Sequence, residues 1–214
     1  MLFGTDLVSM LYMIPIILLS IAVHECSHAI VAYKLGDRSQ KLQGRMTLDP
    51  LVHMDIIGFI CIVLFRFGWG KPVLIDDSNF KNRSRDNMLV SIAGPLSNLV
   101  LAVIASIILV VLVLTNIVDI AAQNQIGTII ITMLMLSVQY NVIFAVFNMI
   151  PIPPLDGSKV LAHFLPQKTK NVMYNLERYS FYIIIILLAT GAFSYVITPF
   201  INGTSYILNL IMHL

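Results

Sequence analysis

Charge is scarce in this chain of 214 residues: 13 basic and 11 acidic side chains make up 11% of it, against about 25% in an average soluble domain. That scarcity excludes an ordinary soluble surface, and an apolar content of 58% excludes intrinsic disorder as well. No basic run is long enough to suggest nucleic acid, and a net charge of +2 adds nothing toward one. The two cysteines, Cys26 and Cys61, have neither C-x-x-C spacing nor the density of a disulfide scaffold. They read as small buried hydrophobes. Residues 1–5 carry no base, so the chemistry of a cleavable signal is missing there. Asp6 is the only charge before the first apolar run, and this end is expected outside the cytoplasm.

Long uncharged stretches take the place of that charge. Residues 87–118, 120–155 and 179–214 contain no Asp, Glu, Lys or Arg, and each exceeds the roughly 20 residues that cross a bilayer. With the apolar run 7–33, they predict an all-α polytopic membrane protein with about four full crossings, at 7–33, 87–115, 126–147 and 179–200. Residues 56–67 are apolar but too short to cross, which suits a re-entrant or interfacial segment. Residues 43–48 could form a short strand, a possible small β element before it, and residues 202–214 need not cross. One membrane-embedded domain over 1–214 is expected, with a core at about 7–165 and an additional C-terminal membrane segment at 179–214.

Basic residues fix the orientation. Lys34, Arg38, Lys41 and Arg45 precede the short segment, while Lys71, Lys81, Arg83 and Arg85 follow it. Lys159, Lys168, Lys170 and Arg178 follow the third crossing, and the linker around Asp119 has none. The positive-inside rule then places the N-terminus outside and both ends of the short segment in the cytoplasm. Arg66 is expected to snorkel to the interface.

Polar residues inside a span are costly in lipid and point to function. The first span contains His24-Glu25-Cys26-Ser27-His28, an H-E-x-x-H pattern. On a helix, the i and i+4 imidazoles share one face and can bind one metal, with Glu25 placed to take a proton from water. Such a site wants a third protein ligand. Asp156, His53, His163 and Asp55 are candidates, whereas Asp119 falls on the opposite side of the membrane. Asp156 follows the proline-rich Asn148-Met149-Ile150-Pro151-Ile152-Pro153-Pro154-Leu155, a pre-ordered segment able to present one carboxylate, with Gly157 permitting a turn or a close backbone approach. The residues alone leave Asp156 as ligand or as a helix N-terminal cap. They leave Asn148 between a catalytic supporting role and capping, and Asn98 between helix packing and substrate contact. His53 and Asp55 are expected to shape an entrance or to serve turn hydrogen bonds. A metal transporter and an inactive binding protein are the competing classes. Ligands clustered toward one side of the membrane disfavour the first, and an intact Glu25 disfavours the second.

The sequence resembles the site-2 protease family of intramembrane zinc metalloproteases, in its compact subgroup without a PDZ domain. The resemblance rests on His24 to His28, on Asn148 to Gly157, on Ala93-Gly94-Pro95-Leu96-Ser97-Asn98 and on the block from Gly44 to Gly58, where Asp49 stands in place of the usual Asn. The segments Phe67 to Val73 and Asn79 to Asn82 also look like subgroup features. The family implies His24, His28 and Asp156 as ligands of one Zn2+ per chain, Glu25 as catalytic base and Asn148 as a group on the substrate backbone or oxyanion. The spans and the positive-inside rule give a multi-pass protein, expected in the cell membrane, with His24 and His28 toward the cytoplasmic side. The expected partners are membrane-protein substrates with a transmembrane segment and the lipid bilayer, and not nucleic acid. A regulatory membrane protein or a homo-oligomer stays open. The short apolar segment 56–67, with the strand-like residues 43–48 before it, is expected to receive an unwound substrate by edge pairing.

Overall fold

The computed structural model describes residues 7–65, 68–166, 169 and 175–213. In chain order the helices are α1 (Leu7–Leu35), α2 (Ser39–Leu42), α3 (Pro50–His53), α4 (Ile56–Phe65), α5 (Arg83–Leu114), α6 (Ile117–Ala122), α7 (Gln125–Asn148), α8 (Asp156–Phe164), α9 (Ser180–Ala189) and α10 (Ala192–Met212), with a 3-10 turn at Asp77–Asn79. Asp6, Arg66, Phe67, Lys168 and Lys170, which carried expectations above, lie outside the described residues. Three helices, α1, α5 and α7, are long and apolar enough to cross a membrane, and the bent pair α9 and α10 makes a fourth if it is one span. The fold is therefore an all-α polytopic membrane protein, and α4 supplies the expected short element.

Local chemistry explains the helix starts. Asn82 accepts from Arg85 N ahead of α5, and Asn124 accepts from Gly127 N ahead of α7, each satisfying a backbone donor that the helix leaves open. Within α1, Ser20 and Ser27 return their hydroxyls to the carbonyls of Ile16 and Val23, so neither is left unpaired in lipid. Small residues let the long helices approach: Ala22, Ala29 and Ala32 on α1 and Ala102 and Ala105 on α5 are buried. One apolar cluster joins α5, α7 and α10 through Ala105, Leu109, Ile131, Val138, Leu208 and Ile211. Another joins α1 and α4 through Met13, Ile17 and Ile62, with Tyr140 and Phe144 of α7 against them. The outer face of α5 instead exposes Leu96, Leu99, Val100, Val103, Ile104 and Ile107, a patch that lipid would cover.

Two expectations are corrected. Residues 43–48 form no strand; the β pairing among the described residues is one antiparallel bridge, Met54 to Gly70. The backbone turns at Gly44, with φ +68, and Arg45 points inward onto the carbonyls of Val52, Lys71 and Pro72, so no strand edge forms and the edge-pairing expectation tied to it falls. The single crossing expected at 179–200 is instead divided. Gly191 takes a left-handed conformation, φ +71, α9 and α10 meet at 67°, and residues 202–212 continue α10 as one helix.

Candidate metal centre

Two helices run antiparallel and offer matching stripes at intervals of four residues. On α1 these are Ser20, His24 and His28; on α5 they are Asn98, Gly94 and Val90, in the opposite chain sense. Asn98 donates through Nδ2 to the Ser20 carbonyl, 3.2 Å, and to Asn141 Oδ1, 2.9 Å. Both acceptors require the amide nitrogen, so Asn98 Oδ1 must face His24 Nδ1, 2.7 Å away. An oxygen there can only accept, which makes His24 Nδ1 the protonated nitrogen. His28 Nδ1 lies 2.7 Å from the Val90 carbonyl and is protonated by the same reasoning. Both Nε2 atoms therefore present lone pairs.

Those lone pairs converge. The two Nε2 atoms are 3.0 Å apart, and Asp156 Oδ2 is 3.1 Å from the first and 3.3 Å from the second. The rings stand nearly perpendicular, at 87°, so their edges and not their faces meet. Three acceptors this close repel unless they share a cation. A tetrahedral zinc with ligands at about 2.0–2.1 Å separates neighbouring ligand atoms by about 3.3 Å, and the observed triangle matches that edge closely. Gly94 supports the same fit from the other side: a Cβ there would lie 2.5 Å from His28 Nε2 and 2.6 Å from His24 Nε2. The cradle has space for an ion and none for a side chain.

Asp156 reaches the cluster because α8 starts where α7 ends. Residues 149–155 turn the chain, and Gly157 packs so tightly that a Cβ would meet the Met149 carbonyl oxygen at 2.2 Å. Leu155, not Asp156, occupies the cap position. Glu25 is half-buried on the next position of α1 and its Oε2 accepts from Val73 N, 2.8 Å.

The other candidates separate from this centre. Asn148 ends α7 and donates through Nδ2 to the Phe144 carbonyl, 3.0 Å. His163 Nδ1 meets Ser84 Oγ at 3.1 Å. Asp55 accepts from Gly58 N at the start of α4, and Asp49 accepts from Leu51 N at the start of α3. His53 is fully buried against the Thr47 carbonyl. Asn98, left above between packing and substrate contact, orients a histidine. The Val73 amide and Asn141 escaped the sequence reading; the four-residue spacing of Gly94 and Asn98, equal to that of the histidines, was the available signal for α5.

A family model described as Peptidase family M50 matches residues 12–191. The chain is similar to "Putative zinc metalloprotease YwhC" of Bacillus subtilis (strain 168), with 37% identity over 90% of this chain and 86% of that protein. It is also similar to a protein of the same description, Rip2 of Mycolicibacterium smegmatis, with 30% identity over 82% of this chain and 65% of that one. No solved structure matches.

Proposed function

The chain belongs to peptidase family M50 and is a membrane metalloprotease; from that premise we propose that it is a zinc endopeptidase cutting peptide bonds in or near the transmembrane segments of other membrane proteins. The observation that carries this reading is the convergence of His24, His28 and Asp156 ligand atoms within 4.8 Å of one another, one residue from Glu25, between helices long enough to cross a membrane. The catalytic unit is proposed to lie in residues 7–165 of a single membrane domain.

In this mechanism His24, His28 and Asp156 hold the metal. When bound, zinc supplies Lewis acidity, acidifying water and polarising a carbonyl. Asn98 and the Val90 carbonyl keep each imidazole in the tautomer that presents Nε2. Asp156 contributes a negative charge that offsets the dication. Glu25 accepts the proton of the attacking water and later delivers it to the leaving amine. Asn148 has a second amide N–H beyond the one given to Phe144, and that N–H is proposed to bind the substrate carbonyl as its oxygen gains charge.

The substrate must be extended at the cut, because helical hydrogen bonds hide its carbonyls. Helix-destabilising residues near the scissile bond are therefore expected, as in regulated intramembrane proteolysis. The distribution of Lys and Arg supports a cell-membrane protein whose active site lies toward the cytoplasm. The test is a proteoliposome assay with a single-span substrate, comparing the wild type with Glu25→Gln. Cleavage by the wild type alone is expected; equal product from both rejects the assignment.

A further inference from the structure

Between α4 and α5 the chain makes a non-helical strap over residues 71–76. Half-buried Val73 and Ile75 alternate with exposed Leu74 and Asp76, as in an extended run. Its backbone groups are taken in turn by side chains from earlier in the chain. Arg45 donates to the carbonyls of Lys71 and Pro72, and Gln40 donates to the Leu74 carbonyl. Asp37 accepts from Asp76 N, 3.0 Å. Between these anchors, Val73 N donates to Glu25 Oε2 at 2.8 Å.

Arg45 is the unusual member of this set. It is 6% exposed, and its hydrogen bonds go to three backbone carbonyls, those of Val52, Lys71 and Pro72. A buried guanidinium is tolerated when its donors are matched by fixed acceptors. Here the planar fork joins the end of α3 to the start of the strap, and two further contacts between these segments reinforce it. Lys71 N donates to the His53 carbonyl, 2.8 Å, and Met54 bridges Gly70. The carboxylate of Glu25 ends a flexible side chain, so its direction follows the Val73 amide, and that amide follows the two carbonyls just before it.

We infer that Arg45 is a positioning residue for the general base: its hold on Lys71 and Pro72 sets the strap so that the Val73 amide aims Glu25. The inference rests on the hydrolytic reading above. It also gives a task to the Gly44 to Gly58 block, which lies outside the metal centre. A lysine at position 45 keeps the charge but offers one ammonium in place of a planar fork, and cannot span carbonyls of α3 and the strap in the same way. A proline at position 73 removes the donor itself, in a segment where Pro72 already restricts the backbone.

The experiment measures kcat and apparent KM for a membrane substrate in proteoliposomes, with zinc content and thermal melting followed in parallel. The proteins are the wild type, Glu25→Gln, Arg45→Lys, Val73→Pro and Val73→Ala, the last setting the side-chain contribution at that position. Arg45→Lys is expected to lower kcat about 10- to 100-fold, the range for losing a group that orients a reactive side chain, with KM and zinc content close to wild type. Val73→Pro is expected to fall by a similar factor below Val73→Ala. The inference is overturned if Arg45→Lys keeps the wild-type kcat, if Val73→Pro matches or exceeds Val73→Ala, or if zinc and folded protein are lost in step with activity in both Arg45→Lys and Val73→Pro. Failure of the hydrolytic reading looks different: the wild type does not cleave, or Glu25→Gln cleaves equally.

Discussion

Gly94 and Asn98 sit opposite the two histidines, and single atoms decide what each position permits. Alanine at position 94 would improve the intrinsic helix preference of α5 by about 1 kcal/mol, yet its methyl would stand 2.5 Å from His24 Cε1 and 2.5 Å from His28 Nε2. Gly94→Ala is therefore expected to keep its helix content by circular dichroism while losing zinc on purification. A variant that retained the full metal content would mean the cradle is not the ion site. Asn98→Ala removes the acceptor for His24 Nδ1 and takes one donor away from the Ser20 carbonyl and one from Asn141 Oδ1. Chelator competition is expected to show zinc held about 10- to 100-fold less tightly.

At the scale of elements, α3 and the strap behave as one unit, and His53 gives that unit a pH dependence. Burial lowers the His53 pKa from its ordinary 6.5, and the nearby Arg45 adds to the lowering while the Thr47 carbonyl opposes it. The folded form thus favours the neutral ring. Above about pH 6.5 the resulting stability is fully present; as pH falls below it, the unfolded chain takes up the proton first and stability is lost toward the folded-state value. The melting temperature should drop between pH 7.5 and 5.5, and the drop should shrink in His53→Gln. An unchanged drop in the variant would remove His53 from this role.

The elements also show how far sequence reaches. The convergence of His24, His28 and Asp156 was legible because a four-residue spacing and a proline-rich turn are local features. Residues 43–48 were not, since the fate of that segment depends on Arg45 finding carbonyls at 71 and 72, which only the tertiary fold brings near. Hydropathy marks an apolar segment after residue 179 but is blind to the sign of φ at Gly191, so the break between α9 and α10 escaped it. Asn98 was visible as a polar residue in a span; its partner was not, because helix register is a property of the pair.

For the whole molecule, the proposed topology puts the turn after α1, the strap and α8 on one side of the bilayer and α6 on the other. Single cysteines at exposed Lys159 and Asp119, in a chain whose Cys26 and Cys61 have been replaced by Ala, should be labelled by impermeant reagents from opposite sides of oriented vesicles. Labelling of both from one side would contradict the four-crossing arrangement. The central claim, however, is that α1 and the start of α8 share one zinc. X-ray absorption at the zinc edge of the purified protein tests this most directly. The account predicts two imidazole nitrogens and oxygen ligands at about 2.0–2.1 Å, with the spectrum altered in Asp156→Ala. A sulfur ligand, or a spectrum indifferent to the loss of Asp156, would contradict it.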